Sequence, residues 1–118
     1  MSPPTPNRHG TIRPTEAQCQ TTIIAAARLA GWRVHAERPA QMGSGKWSTP
    51  IQGDSGFPDL TLSRGGQLVI VELKRAPNKV EPEQQVWLDQ LAKVPGVSAF
   101  VVWVPEEKDQ FIKALQRR

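Results

Sequence analysis

The sequence has little of what marks secretion, membranes or soft-metal chemistry. Cysteine occurs once, at Cys19, so no internal disulfide can form and a reducing compartment such as the cytoplasm fits. No apolar run approaches the roughly eighteen residues needed to span a bilayer. The Pro-rich beginning also lacks the apolar core of a signal peptide, so no membrane association is expected. Histidine occurs at His9 and His35, far apart and in no zinc or His-metal pattern, so both read as surface or incidental residues. There is no Gly-rich phosphate loop, since Gly65-Gly66 is a turn, and no internal repeat. What remains is a single domain of 118 residues, enough for one core in about three layers. Its formal charge of +4 and isoelectric point near 9.7 permit an anionic partner, nucleic acid first.

Residues 1–14 hold four prolines without apolar periodicity. They are expected to be a flexible arm before a single domain over 15–118, either a passive tail or one whose Arg8, His9 and Arg13 contact phosphates. Thr15 reads as an N-cap and Gln18 as its capping-box partner. Cys19, Ile23, Ala27 and Ala30 then recur at helical spacing until Gly31. Cys19 belongs to that apolar face as a small core residue. Glu16 shares the face, which gives two readings: a dipole-favoured first-turn carboxylate or a functional one.

Residues 32–37 alternate like a short strand. Residues 38–56 show no clear strand or helix, and a loop this long in a small domain is usually functional or mobile. Within it Lys46, Trp47 and Gln52 suit a nucleotide backbone and base, although Trp47 can equally plug the core. A strand over 57–63, a turn at Arg64-Gly65-Gly66 and a returning strand over 67–74 form a hairpin. A helix follows from Pro82 towards Pro95-Gly96, then an apolar central strand over 97–104 and a last helix over 106–118. The order α-β-β-β-α-β-α is that of an α/β domain with a mixed sheet flanked by helices.

Alternation along 67–74 places Leu68, Ile70, Glu72 and Lys74 on one face. Glu72 and Lys74 are then roughly 6–7 Å apart along the strand. Pairing about the Gly65-Gly66 turn brings Asp59 opposite residues 72–74. Asp59 and Glu72, with a backbone carbonyl near Leu73, make a hard oxygen site suited to Mg²⁺ or Mn²⁺. Lys74 beside it can orient a water, accept its proton or stabilise phosphoryl charge. The non-catalytic alternative is a set of sheet-end ion pairs, Asp59–Lys74 and Glu72–Arg75.

Pro58-Asp59, then Glu72-Leu73-Lys74 on the next strand, resembles the PD-(D/E)xK nuclease superfamily with its restriction-endonuclease-like core. More closely the chain resembles the VRR-NUC (virus-type replication-repair nuclease) family. TEAQ at the start of the first helix, GFPDL, and PEQQVWLDQL after ELK support that narrower match over about residues 15–116. The resemblance implies metal-dependent phosphodiester cleavage, with Asp59 and Glu72 as ligands and Lys74 as base or its equivalent. It gives Glu16 a role in tuning or completing the metal site and matches the second-helix glutamine to Gln84, with Gln85 as the alternative pocket residue. Trp87, Leu88 and Leu91 are expected to pack against the sheet. Small stand-alone members are associated with phages and with cutting branched DNA such as Holliday junctions. The expectation is a structure-selective, Mg²⁺- or Mn²⁺-dependent DNA endonuclease working in the cytoplasm, the host's if phage-encoded. Lys46, Trp47, Gln52, Arg75 and Lys79 are its expected DNA contacts. A sequence-specific or nicking nuclease, or a non-catalytic DNA-binding module, are the alternatives. Because a four-way junction is two-fold symmetric, the active form is expected to be a homodimer, with apolar surface from Trp32, Trp47, Trp103 or the Phe111–Leu115 face.

Overall fold

The structure is a computed structural model and describes residues 13–37, 40–41, 47–48 and 51–118. Its first element, α1 (Glu16–Leu29), starts at the expected cap. Thr15 Oγ1 accepts from the Gln18 N–H at 3.0 Å and Gln18 Oε1 accepts from the Thr15 N–H at 2.9 Å. Cys19, Ile23 and Ala27 form its buried stripe, and burial pushes the Cys19 thiol pKa up, as expected of a core sulfur.

A four-stranded sheet carries the rest of the fold, in the order β1-β4-β5-β6. Strand β1 (Arg33–Ala36) pairs antiparallel with β4 (Leu60–Arg64), and β4 with β5 (Gln67–Lys74). Gly65 and Gly66 turn the hairpin at φ 53° and 80°, the backbone that a two-residue turn matched to strand twist requires. Helix α2 (Pro82–Ala92) then crosses over so that β6 (Val97–Trp103) lies parallel to β5. Helix α3 (Lys108–Arg117) closes the described chain.

Burial follows the strand alternation. Leu60, Leu62, Val69, Val71 and Leu73 join the α1 stripe and Phe111 and Leu115 of α3 in one core cluster. Ile70 and Leu88 of α2 are buried outside that cluster, on the opposite face of the sheet. The result is a three-layer α/β domain with the β4–β5 hairpin at its centre.

Four expectations are corrected. Residues 38–56 were expected to lack strands, yet β2 (Ala40–Gln41) and β3 (Trp47–Ser48) pair antiparallel as a second, two-stranded sheet. Two residues are too few to show a period. Strand β4 starts at Leu60 rather than residue 57, because Pro58 has no N–H to donate and the Asp59 side chain takes a partner on β5 instead. The last helix starts at Lys108, after Glu107 Oε1 accepts from the Trp103 N–H at 2.8 Å.

The fourth correction concerns spare apolar surface. Trp32, Phe111 and Leu115 are buried in the core. Trp32 Nε1 donates to the Leu115 carbonyl at 3.0 Å, and the Arg64 guanidinium sits 4.6 Å above the indole. None of the three is free to form a dimer interface. Among the described residues, the large apolar side chains that are exposed are Leu29, Ile51, Phe57, Val86 and Val94.

The last residues of the expected arm are also fastened to the domain. Arg13 is ion-paired with Glu106, and the Pro14 carbonyl accepts from Arg75 Nε at 3.0 Å. Arg8 and His9 lie outside the described residues.

Candidate active site

Asp59 and Glu72 meet because the hairpin register runs to its end. Leu60 stands opposite Val71, so the next pair outward is Asp59 and Glu72. Asp59 Oδ2 accepts from the Leu73 N–H at 2.8 Å, and its carbonyl accepts from the Glu37 N–H at 3.0 Å. One residue therefore ties β1, β4 and β5 together at the sheet end and presents a carboxylate there.

Glu72 is 3% exposed. Gln84 Nε2 donates to Glu72 Oε2 at 3.0 Å, while Lys74 Nζ lies 3.6 Å from the same oxygen. Its other oxygen, Oε1, is buried without a hydrogen-bond partner among the described residues. Burial, followed by the Asp59 charge, raises the Glu72 pKa from 4.5 to about 8. Lys74 opposes that rise, and the Glu16 charge adds to it. At neutral pH the carboxyl accordingly holds a proton.

Gln84 has its amide fixed from both ends. Its Oε1 accepts from the Glu81 N–H at 2.8 Å, at the start of α2, which leaves Nε2 to face Glu72. Gln85 points away and donates to Asp89 Oδ1 at 2.8 Å. Between the two glutamines, Gln84 is the one at the site. Glu16, half-buried in the first turn of α1, is near enough to act on Glu72 electrostatically. Lys74 is followed by Arg75, which bonds to Pro14 instead of pairing with Glu72.

A cleft of about 700 Å³ opens over this sheet end, lined by Asp59 and Gln84 together with His35, Glu37, Gln52, Phe57, Trp87 and the 53–56 segment. Its wall is the 51–57 segment fastened to α2. Trp87 Nε1 donates to the Ser55 carbonyl at 3.0 Å, and the Trp87 ring meets Phe57 edge-on at 5.0 Å. Trp87 was expected to pack against the sheet; it holds the loop instead, while Leu88 is the buried residue. Gly56 makes this attachment at φ 93°, where a Cβ would stand 2.8 Å from the Glu83 carbonyl carbon and 2.9 Å from the Gln84 nitrogen.

Gly56→Ala should therefore cost more than the roughly 1–2 kcal/mol of left-handed backbone strain, because the first turn of α2 must move as well. Gly65→Ala meets no atom within 4 Å and should cost only the strain. Thermal unfolding of both variants checks this. Equal losses would show that Gly56 is not wedged against α2.

His35, dismissed on sequence, lines the cleft. It stands opposite Thr61, two residues from Asp59, so the alternation of residues 32–37 contained the signal once β1 was paired with β4. Gln52 is exposed and lines the same cleft, while Lys79 is exposed between β5 and α2. Lys46 and the side chain of Trp47 lie outside the described residues.

The Asp59–Glu72 pair offers hard oxygen donors. Among the described residues no group of three or more His, Cys, Asp or Glu side chains stands at ligating distances. A zinc-type cage is thus missing there, and the donor set is a carboxylate pair with backbone oxygens. A pair of carboxyls sharing one site, one of them with a buried unpartnered oxygen, fits a divalent cation that prefers oxygen and keeps its waters.

A family model for the VRR-NUC domain matches residues 35–106, well over half the chain. The chain belongs to the VRR-NUC family. The matched span contains Asp59, Glu72, Lys74 and Gln84. It is narrower than the resemblance over 15–116, and α1 with Glu16 falls outside it. Among solved structures, one titled "VRR_NUC domain protein" is similar in fold, with a TM-score of 0.61 and 22% identity over 89% of this chain and 88% of that one. No curated protein matches the chain. A nuclease-type fold is what the two matches have in common. Among the described residues no helix is long and apolar enough to cross a membrane.

Proposed function

We propose that the chain is a Mg²⁺- or Mn²⁺-dependent endodeoxyribonuclease that hydrolyses phosphodiester bonds in branched DNA. The observation that carries this reading is the sheet-end cluster: Asp59 and Glu72 adjoining, with Glu72 Oε1 buried and unpartnered and Lys74 Nζ 3.6 Å from Glu72 Oε2. Asp59, Glu72 and the Leu73 carbonyl would hold the ion, with Glu16 as a further ligand or a tuning charge. Such an ion, when bound, lowers the pKa of a coordinated water and stabilises charge on the phosphodiester.

The protein's own part is positioning and proton handling. Gln84, locked by the Glu81 N–H, fixes the rotamer of Glu72. Asp59 is held by the Leu73 N–H, so both carboxylates are set before substrate arrives. Lys74 is placed to orient the attacking water, take its proton or neutralise phosphoryl charge. Gln52 in the cleft, with Lys46, Trp47, Arg75 and Lys79, would contact the DNA. A cytoplasmic site of action suits a chain with a single cysteine.

The test is purified protein with labelled duplex, flap and four-way-junction DNA, with and without Mg²⁺ or Mn²⁺. Metal-dependent cleavage that favours branched substrates is expected. Cleavage at one duplex sequence regardless of structure would make it a site-specific or nicking enzyme. Binding without cleavage in either metal would make it a non-catalytic module.

A two-fold homodimer forms part of the proposal, because resolving a four-way junction takes paired cuts and this domain has one site. With Trp32, Phe111 and Leu115 committed to the core, the interface must come from other surface, such as Leu29 at 91% exposure. Light scattering at micromolar concentration should give twice the chain mass. Mixing wild-type and Lys74→Ala subunits should yield singly nicked junctions. A strict monomer that still makes paired cuts would overturn the dimer.

A further inference from the structure

Beside the cleft lies a second recess of about 280 Å³, lined by Asp54, Ser55, Glu83, Val86, Trp87 and Gln90. The four α2 residues sit at helical spacing on one stripe, directed away from the buried Leu88. Val86 is 55% exposed on this stripe, an apolar side chain with no cover. Asp54, Ser55 and Trp87 border both recess and cleft, so the two hollows adjoin across one indole. That indole is pinned by its hydrogen bond to Ser55 and by the Phe57 ring.

We propose that this recess receives an unstacked nucleobase of the DNA strand whose phosphodiester lies at Asp59, Glu72 and Lys74. The inference rests on the nuclease reading above and names the substrate feature that the same site selects. Charge decides which part of a nucleotide fits. Asp54 and Glu83 repel a phosphate, whereas their carboxylates and the Gln90 amide accept hydrogen bonds from base N–H groups. The apolar Val86 and the Trp87 indole offer a base a surface for its flat face. The size suits one small aromatic group, near the lower limit for small-molecule pockets. A base inside a duplex cannot reach the recess without leaving its stack, so the enzyme selects DNA that already has an unpaired base beside the scissile bond.

The experiment uses duplexes with one bulged nucleotide, the same duplexes with an abasic residue at the bulge, and fully paired controls. Binding is read by fluorescence anisotropy in Ca²⁺, with cleavage in Mg²⁺ measured alongside. Wild-type protein should bind the base-bearing bulge about 10-fold more tightly than the abasic one, as expected for one base–aromatic stack. Val86→Glu, which fills the recess with a charge, should bring that ratio to about one, and Val86→Ala should lower it less. The ratio is the readout, so a general loss of affinity from added negative charge does not imitate the effect. A wild-type protein that cleaves DNA but binds both bulges equally overturns the recess assignment and leaves the nuclease reading intact. A Val86→Glu protein that keeps the full ratio does the same. Protein that neither binds nor cleaves any of these DNAs overturns both.

Discussion

Asp59→Ala should lower single-turnover DNA cleavage by at least about 10³-fold, since a metal ligand supplies several kcal/mol of transition-state charge stabilisation. Asp59 does two things, and the conservative variant separates them. Its Oδ2 accepts from the Leu73 N–H, a structural role that Asp59→Asn preserves through its amide oxygen. The negative charge is lost in both variants. Asn should therefore match Ala in cleavage while remaining closer to wild type in thermal stability. Lys74→Ala should lower cleavage by about 10²–10⁴-fold, the range for a positioned proton-transfer group, yet leave Mn²⁺ binding by calorimetry largely unchanged. If Asp59→Ala protein cleaves at the wild-type rate in Mg²⁺, the carboxylate pair is not the catalytic centre.

The meeting of Asp59, Glu72 and Lys74 at one sheet end is legible in the sequence because it depends on local rules. A two-glycine turn sets a hairpin register, and counting outward from Gly65-Gly66 puts Asp59 opposite Glu72. Strand alternation then places Lys74 on the same face. The Thr15–Gln18 box likewise follows from residue types at fixed spacing. Gln84 was suggested only by the family resemblance, with Gln85 left open beside it. It sits three residues after Glu81, where its side chain reaches back to the backbone N–H of the residue that begins the helix, and that fixes its other end towards the sheet.

The cleft wall was not legible, because nothing local builds it. Gly56 looks like any other loop glycine until α2 lies against it, with the Glu83 carbonyl carbon 2.8 Å from where a Cβ would be. Trp87 fits a helix-to-sheet packing pattern equally well, and only the position of the Ser55 carbonyl turns it towards the loop. His35 has no sequence partner that marks it as part of a site. Its place depends on β1 joining β4 across the 23 residues between Ala36 and Leu60, which include the 38–56 segment. Trp32 and the Phe111–Leu115 face misled for the opposite reason. Their apolar character is plain in sequence, but whether it is spent inside one chain or between two is decided by tertiary packing.

Glu72→Gln should make the metal-free protein more stable, increasingly so as pH rises. The Glu72 pKa is raised from 4.5 to about 8 by burial and then by Asp59, so between those values the folded chain holds a proton that the unfolded chain has released. Stability must then fall with rising pH across that window. It carries no penalty from this group below about pH 4.5 and the full penalty above about pH 8, on the order of 5 kcal/mol. Glutamine keeps the shape and polarity of the protonated acid: its oxygen can accept from Gln84 Nε2 and its amide can donate to Asp59. Chemical denaturation in a chelator at pH 5, 7 and 8.5 should therefore show a falling curve for wild type and a nearly flat one for Glu72→Gln. Adding Mn²⁺ should restore wild-type stability most at the highest pH, where no proton has to be displaced, and should leave the variant nearly unmoved. Parallel pH curves for the two proteins would mean that Glu72 is ionised in the folded chain at neutral pH, and that the carboxylate pair is already compensated without an ion.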